Sequence, residues 1–522
     1  MWVLFTSATA DYNVVPRPRS VVYNVNEASF VPDSVTIISY SCDDSMRRNA
    51  ELLSDNMYNV SGIKLGIADR LPDSNVIVLT DTLSHTNPEA YRITVDGNRI
   101  VVDGASSAGC YFGCQTLCKS IAVPGDSNIE FPAAVITDWP QYGYRGAHLD
   151  VARHFFPVDS VKRFIDMISL HNINRFHWHL SDDQGWRIEI KSRPKLTEVA
   201  SMRKETIVLH ADTCDGMPHG GFYTQDEARE IVKYAADRHI VVIPEIDIPG
   251  HSQATLAAYP EVGCTGGPYE VLTRWNGTLE TLCPGSDETF SLLEDVFGEL
   301  VDIFPSEFIN IGGDECPKDR WRECHKCQAR IRQLGLTADS IYSAEDKLQG
   351  YVTRRVAEYI SGLGRRVIGW DEILECDLPD NAAVLSWRGT EGALEAARRG
   401  HDAVMCPTLY CYFDYFQTEN WQQEPLAGGG FIPVERVYHF IPSKGFSPDE
   451  AKHLLGVQCN HWSEAITCQS VLENRALPRM AALSEVQWSD EHKDYDDFLH
   501  RLEQLRRHYE VLGYRYAPYI FE

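Results

Sequence analysis

The sequence predicts an α/β protein, a (β/α)8 TIM barrel preceded by a small α+β domain. Three observations carry this expectation. The chain has 522 residues, too many for one ordinary domain and enough for a barrel of about 250 residues or more plus a smaller unit. Beyond Tyr142 a rhythm of apolar run, polar loop and amphipathic stretch repeats eight times, as a closed barrel of parallel strands requires. Before Trp139-Pro140 the pattern is one of short strands and a hairpin instead.

In chain order, residues 1–11 read as a possible remnant of an export signal. Met1 to Ala10 ends in an A-x-A pattern but lacks a basic start and a full apolar core. A secreted or periplasmic location is the corresponding expectation. Residues 12–140 form the α+β domain. Tyr91 to Val95 and Arg99 to Val102 alternate about Asp96-Gly97-Asn98, a hairpin signal, and Ala108 to Ile121 reads as a helix. Residues 141–522 form the barrel, with strands at Gly143 to Asp150, Asn174 to Ser181, Ile240 to Ile248, Phe308 to Gly313, Arg366 to Trp370, Ala383 to Trp387, Asp402 to Cys406 and Leu455 to Trp462. Val161, Phe164, Ile165 and Ile168 keep helical spacing, and Thr224-Gln225-Asp226-Glu227 has the form of a capping box. Tyr495 to Tyr514 reads as a closing amphipathic helix, with no third domain after it.

Composition narrows the partners. A formal charge of −27 and the lack of Lys/Arg stripes argue against nucleic acid and anionic membrane. No run approaches the roughly 18 apolar residues of a membrane span. Aromatics make up 11% of the chain, with 11 Trp, and such flat faces suit sugar rings. The 15 Cys are scattered rather than arranged as a small disulfide scaffold. Cys324-His325-Lys326-Cys327, with Cys316 upstream, invites a zinc reading but offers no clear fourth ligand. A disulfide or plain packing is expected there, and no metal and no cofactor.

The chemistry is expected where strands end. Asp314 and Glu315 follow Phe308-Ile309-Asn310-Ile311-Gly312-Gly313. Two adjacent acids cannot both ionise cheaply, so one pKa rises toward a general acid's while the other stays charged. Successive strand residues point to opposite sides, so the pair shares a substrate only if Gly312-Gly313 bends the backbone. With these strands, Arg145 and Asp150, Asp182 and Asp183, Asp247 and His251, Trp370, Trp387, Tyr412 and Asp414, and Trp462 and Glu464 are expected at the same mouth. His177 and His179 alternate on one strand and, with His251 and Asp314, also suit a metal-dependent hydrolase; a sugar-binding protein without catalysis is a further alternative.

The motifs Tyr144-Arg145-Gly146, Leu149-Asp150, Arg153-His154-Phe155, His177-Trp178-His179-Leu180-Ser181-Asp182-Asp183-Gln184-Gly185-Trp186, Pro244-Glu245-Ile246-Asp247-Ile248-Pro249-Gly250-His251, Ile311-Gly312-Gly313-Asp314-Glu315, Tyr412-Phe413-Asp414 and Asn460-His461-Trp462-Ser463-Glu464 together resemble the β-N-acetylhexosaminidases of glycoside hydrolase family 20. The resemblance covers nearly the whole chain, the leading domain included. It implies exo action on terminal β-linked N-acetylhexosamine, with the substrate's own acetamido oxygen as nucleophile. It implies Glu315 as proton donor, Asp314 and Tyr412 as holders of the acetamido group, and Arg145, Asp414 and Glu464 on hydroxyls. It further implies Trp370, Trp387 and Trp462 around the ring, and Asp182, Asp247 and His251 as supporting residues.

Overall fold

The computed structural model describes residues 8–41, 43–123, 129–275, 277–375, 378–489 and 493–521. The export reading rests mainly on residues 1–7, which lie outside them. The leading unit is a seven-stranded sheet of β1 (Ser20–Tyr23), β2 (Ile37–Tyr40), β3 (Gly66–Ala68), β4 (Val76–Thr80), β5 (Tyr91–Val95), β6 (Arg99–Gly104) and β7 (Ala134–Asp138), in the order β1-β7-β5-β6-β4-β2-β3. The β5–β6 hairpin forms because the Asp96 carboxylate accepts the backbone N–H groups of Asn98 and Arg99, closing the turn. Helices α1 (Asp44–Ser61) and α2 (Ser107–Lys119) pack on one another and on this sheet. Asp43 caps α1 through the Met46 N–H.

Eight parallel strands then close a barrel: β8 (Tyr144–Asp150), β9 (Arg175–His179), β10 (Val241–Glu245), β11 (Phe308–Asn310), β12 (Arg366–Trp370), β13 (Ala383–Ser386), β14 (Asp402–Met405) and β15 (Leu454–Cys459). All eight coincide with the runs read from the sequence, each within a few residues. The strand β11 keeps only half of its run and pairs with β10 only through Glu245 and Asn310. It ends early because Gly312 and Gly313 adopt φ of +64° and +104°, a conformation that leaves the sheet and that side chains resist. A Cβ on Gly312 would also stand 1.8 Å from Asp247 Oδ1, so only glycine fits this bend.

Alternate strand residues divide the two faces. Phe176, Trp178, Leu149 and Ile309 pack into the shell of helices, including α3 (Val158–Leu170), α4 (Gln225–Ala236) and α5 (Asp287–Ile303). The other face is polar. His177 contacts Glu245 at 2.9 Å, Asn310 at 2.8 Å and Gln458 at 3.0 Å, while Tyr144 donates to Gln458. His179 bridges Glu245 at 2.5 Å and Asp182 at 3.0 Å. Both rings of the His-x-His pair are thus engaged by protein partners on either nitrogen. A buried network so satisfied is rigid, and it forms a fixed base below the barrel mouth. The capping box at Thr224 and Glu227 opens α4 as expected. The closing helix runs over Tyr495–Val511. No helix among the described residues is long and apolar enough to cross a membrane.

Candidate active site

The two loops that follow β10 and β11 bring the acids together. Asp314 is buried and Glu315 is exposed, its side chain 62% accessible. The strand alternation that would have separated them is cancelled by the Gly312-Gly313 bend, and Glu315 itself sits at φ +46°. His251, also at φ +46°, lies between them, with Nε2 3.7 Å from Asp314 Oδ2 and 3.8 Å from Glu315 Oε2. Its Nδ1 is 3.1 Å from Asp182 Oδ1. Burial disfavours the His251 charge, but Asp182, Asp314 and Asp247 outweigh it and hold the imidazolium well above its ordinary range.

Asp247 accepts the Gly313 N–H at 3.1 Å and interacts with Asp314. Burial, then the Asp314 charge, push its carboxyl well above the ordinary carboxylate range. Asp314 is also raised, by burial first, while His251 and the hydrogen bond from Asp247 pull it back. The rise expected of one member of the acid pair therefore falls on Asp314, the buried one. Its Oδ1 has no hydrogen-bond partner among the described residues.

Trp370 forms the floor. It is 1% exposed, its ring lies 5.7 Å from that of Trp462, and its Nε1 donates to Glu245 at 2.8 Å. Trp387 stacks beside Tyr412 at 6.1 Å, with Tyr412 6.4 Å from Trp462. One aromatic enclosure thus contains the three tryptophans and the tyrosine. Trp387 Nε1 donates to Glu372 at 2.9 Å. Burial and the nearby Asp314 raise Glu372 to about 8, an acid near the site that sequence reasoning missed. Asp414 and Glu464 lie together across the mouth. Burial and then Glu464 raise Asp414 to about 8; Glu464 is itself raised by burial.

Arg145 is not in this site, and the expectation for it is corrected here. As the second residue of β8 it lies at the opposite end of the barrel, 1% exposed, with its guanidinium on Glu89 at 2.6 and 3.0 Å and on the carbonyls of Asn172 and Tyr142. Phe112 and Trp488 flank it at 5.1 and 4.9 Å. It fastens the leading domain to the barrel. The arginine at the mouth is Arg153, just past the carboxyl end of β8, with Nη2 2.8 Å from Asp182 and its guanidinium 4.9 Å over the Trp462 ring. Applying the strand-end rule strictly would have found it, since Arg145 begins its strand and Arg153 follows it. The two arginines have separable consequences. Arg145→Ala strands Glu89 and is expected to cost about 3–5 kcal/mol of stability, read by denaturant unfolding, with activity per folded molecule kept. Arg153→Ala strands Asp150 and Asp182 and so also costs stability, but it is set apart by a KM raised about ten- to a hundredfold per folded molecule, the worth of one or two hydrogen bonds to a charged group.

Asp414 gives a pH signature. Its carboxyl is raised from 3.8 to about 8, so between those values the folded state binds the extra proton and stability falls as pH rises. Asp414→Asn removes that dependence. The variant is expected to gain in Tm over the parent progressively from about pH 4 to about pH 8, and thermal melts across that range check it.

A parallel (β/α)8 barrel whose mouth holds paired carboxyls, an imidazolium and an aromatic enclosure defines a glycoside hydrolase. The family model described as "Glycosyl hydrolase family 20, catalytic domain" matches residues 142–491, and that of "Glycosyl hydrolase family 20, domain 2" matches residues 11–139. The chain belongs to glycosyl hydrolase family 20. It is 38% identical to a beta-hexosaminidase of Porphyromonas gingivalis over 97% of this chain and 64% of that protein, so it spans somewhat under two thirds of that relative's length. It is 34% identical to a beta-hexosaminidase of Vibrio furnissii over 91% of this chain and 76% of that one. The crystal structure of an exo beta-N-acetylglucosaminidase from Vibrio harveyi, in complex with N-acetylglucosamine, superposes with a TM-score of 0.85 at 28% identity, covering 98% of this chain and 79% of that one.

Proposed function

We propose that the chain is an exo-acting, retaining β-N-acetylhexosaminidase that removes terminal non-reducing β-linked N-acetylhexosamine by substrate-assisted catalysis. One observation carries the reading: a buried carboxylate oxygen without a partner among the described residues, Asp314 Oδ1, lies in the same site as an exposed carboxyl, Glu315, with His251 within 4 Å of both side chains. The two acids have different surroundings and so suit different tasks.

In the first step the acetamido oxygen attacks the anomeric carbon, the glycosidic C–O bond breaks, and the leaving oxygen takes the Glu315 proton. Asp314 accepts the acetamido N–H and stabilises the positive oxazolinium ring. Tyr412, kept protonated because burial raises its phenol well above 10, donates to the acetamido carbonyl and holds it near the carbon it attacks. In the second step Glu315 takes a proton from water, whose oxygen adds to the anomeric carbon as the ring opens. Two inversions give net retention. Holding an internal nucleophile in place is worth on the order of 7–11 kcal/mol in the best intramolecular models.

Arg153, Asp414 and Glu464 would read the hydroxyls of the terminal sugar, and Trp370, Trp387 and Trp462 would enclose its faces. The Vibrio harveyi structure, with N-acetylglucosamine bound to a protein named as an exo enzyme, supports a substrate of this class. The test is a panel of aryl 2-acetamido glucosides and galactosides against plain glucosides, with a thiazoline mimic of the cyclised intermediate as inhibitor. Cleavage confined to acetamido sugars and inhibition by the thiazoline are expected. Equal rates on sugars with only a hydroxyl at C2, or a trapped glycosyl ester on the protein, would overturn the proposal.

A further inference from the structure

Four cysteines converge behind the catalytic loops. Cys264 and Cys283 belong to the long loop after β10, and Cys324 and Cys327 bracket the start of α6 (His325–Leu334) in the segment after β11. Their sulfurs all lie within 4.8 Å of one another. The separations are 3.8 Å for Cys264–Cys327, 3.8 Å for Cys283–Cys324 and 3.5 Å for Cys283–Cys327. Four sulfurs held about 2.3 Å from a tetrahedral centre stand about 3.8 Å apart, so these spacings are those of a tetrathiolate shell. Cys283 and Cys327 each have two sulfur neighbours at this range, whereas separate disulfides would sort the four into pairs about 2 Å apart.

We infer that Cys264, Cys283, Cys324 and Cys327 form a structural zinc site that braces the two loops carrying His251 and the Asp314–Glu315 pair.

The surroundings fit that ion. Trp321, Ile331 and Leu348 pack around the sulfurs and shield them from water. The N-terminus of α6 is directed at Cys324 and Cys327, and its partial positive charge favours thiolates. Gly285 lies so close to the helix start that a Cβ there would meet the Lys326 backbone at 2.2 Å, so the two loops are already pressed together at this point. Binding balances simply: four thiols release four protons, the ion sheds its waters, and no electron is transferred. Four closed protein ligands leave no open position, which marks a structural rather than a catalytic zinc.

The connection to the catalytic loop is short. The Leu282 N–H donates to the Pro249 carbonyl at 3.0 Å, and the Trp321 indole N–H donates to the Leu282 carbonyl at 2.9 Å. Pro249 is two residues from His251. The sequence showed only the Cys324-x-x-Cys327 half; Cys316, the ligand considered there, turns its sulfur to the Pro317 carbonyl instead.

The test is the zinc content of the purified full chain after exhaustive dialysis, by inductively coupled plasma mass spectrometry. One zinc per chain is expected, released in step with thiol modification by an organic mercurial and followed with a metallochromic dye. Cobalt exchanged into the site is expected to give the intense visible bands of a tetrahedral tetrathiolate. Cys283→Ser and Cys327→Ser are expected to lose the ion, and Cys316→Ser to keep it. Should the first two variants not fold, the stoichiometry and cobalt spectrum of the unsubstituted chain still decide. A chain without zinc, with iron in its place, or with these four sulfurs in disulfides by peptide mapping would overturn the inference. None of these readouts depends on the reaction proposed above.

Discussion

Glu315→Gln is expected to lower kcat on an unactivated aryl N-acetylglucosaminide by about 10²- to 10⁴-fold, the usual worth of a positioned general acid or base, while ligand binding changes little. The amide keeps the size and polarity of the carboxyl but cannot deliver or take the proton. Glu315 is the exposed member of the pair, so the substitution removes no buried contact and the fold is expected to persist. The loss has a diagnostic shape. A leaving group of low pKa departs without protonation, so the variant's first step recovers on a dinitrophenyl glycoside. Its second step still lacks a base for water. The rate gap between good and poor leaving groups is therefore expected to widen relative to the parent, and cyclised intermediate to accumulate with the good one. Steady-state kinetics on a leaving-group series measures this; parental rates throughout would remove Glu315 from the role of proton donor.

What could be read in advance follows a physical division. The barrel was readable because eight apolar runs each had to be buried between neighbours, and runs such as Arg366–Trp370 reappear unchanged as strands. The Asp314–Glu315 pair was readable because the preceding Gly-Gly has few uses other than a positive-φ turn, which is what it makes. Strand ends were less certain, because where pairing stops is set by loops. The run at Phe308 continues apolar to Ile311, yet the strand ends at Asn310, since the following glycines turn away.

Long-range pairing was not readable in the same way. The partners of Arg145, bound to Glu89 of the other domain 56 residues away, and of Arg153, bound to Asp182, are not visible in the local sequence. The position of each arginine along the strand does separate them. Glu372 escaped notice for a related reason: its raised pKa arises from burial and then from Asp314, and neither is visible in Asp371-Glu372-Ile373. The convergence of Cys264 and Cys283 on Cys324 and Cys327 likewise depends on how two loops fold over each other.

Asp314→Ala is expected to lower kcat by about 10²- to 10³-fold, as removal of one preorganised electrostatic partner of a transition state does, with a smaller change in KM. The argument rests on the atoms around it. Asp314 Oδ1 is buried without a partner among the described residues, so it is free to accept an acetamido N–H in a charge-assisted hydrogen bond. That bond strengthens as the oxazolinium charge develops, and only interactions that strengthen on the way to the transition state raise kcat. The thiazoline mimic is therefore expected to lose affinity by a factor similar to the loss in rate, while the product sugar loses less. Stability is expected to move the other way. Asp314 is raised by burial, and its charge helps raise Asp247, so both carboxyls carry a cost to folding at neutral pH that the substitution partly removes. A lower rate together with an equal or higher Tm would separate a lost orienting group from a damaged fold, a trade expected where a site holds unfavourable charge for its chemistry. A parental rate, or an unchanged thiazoline affinity, would refute the orienting role.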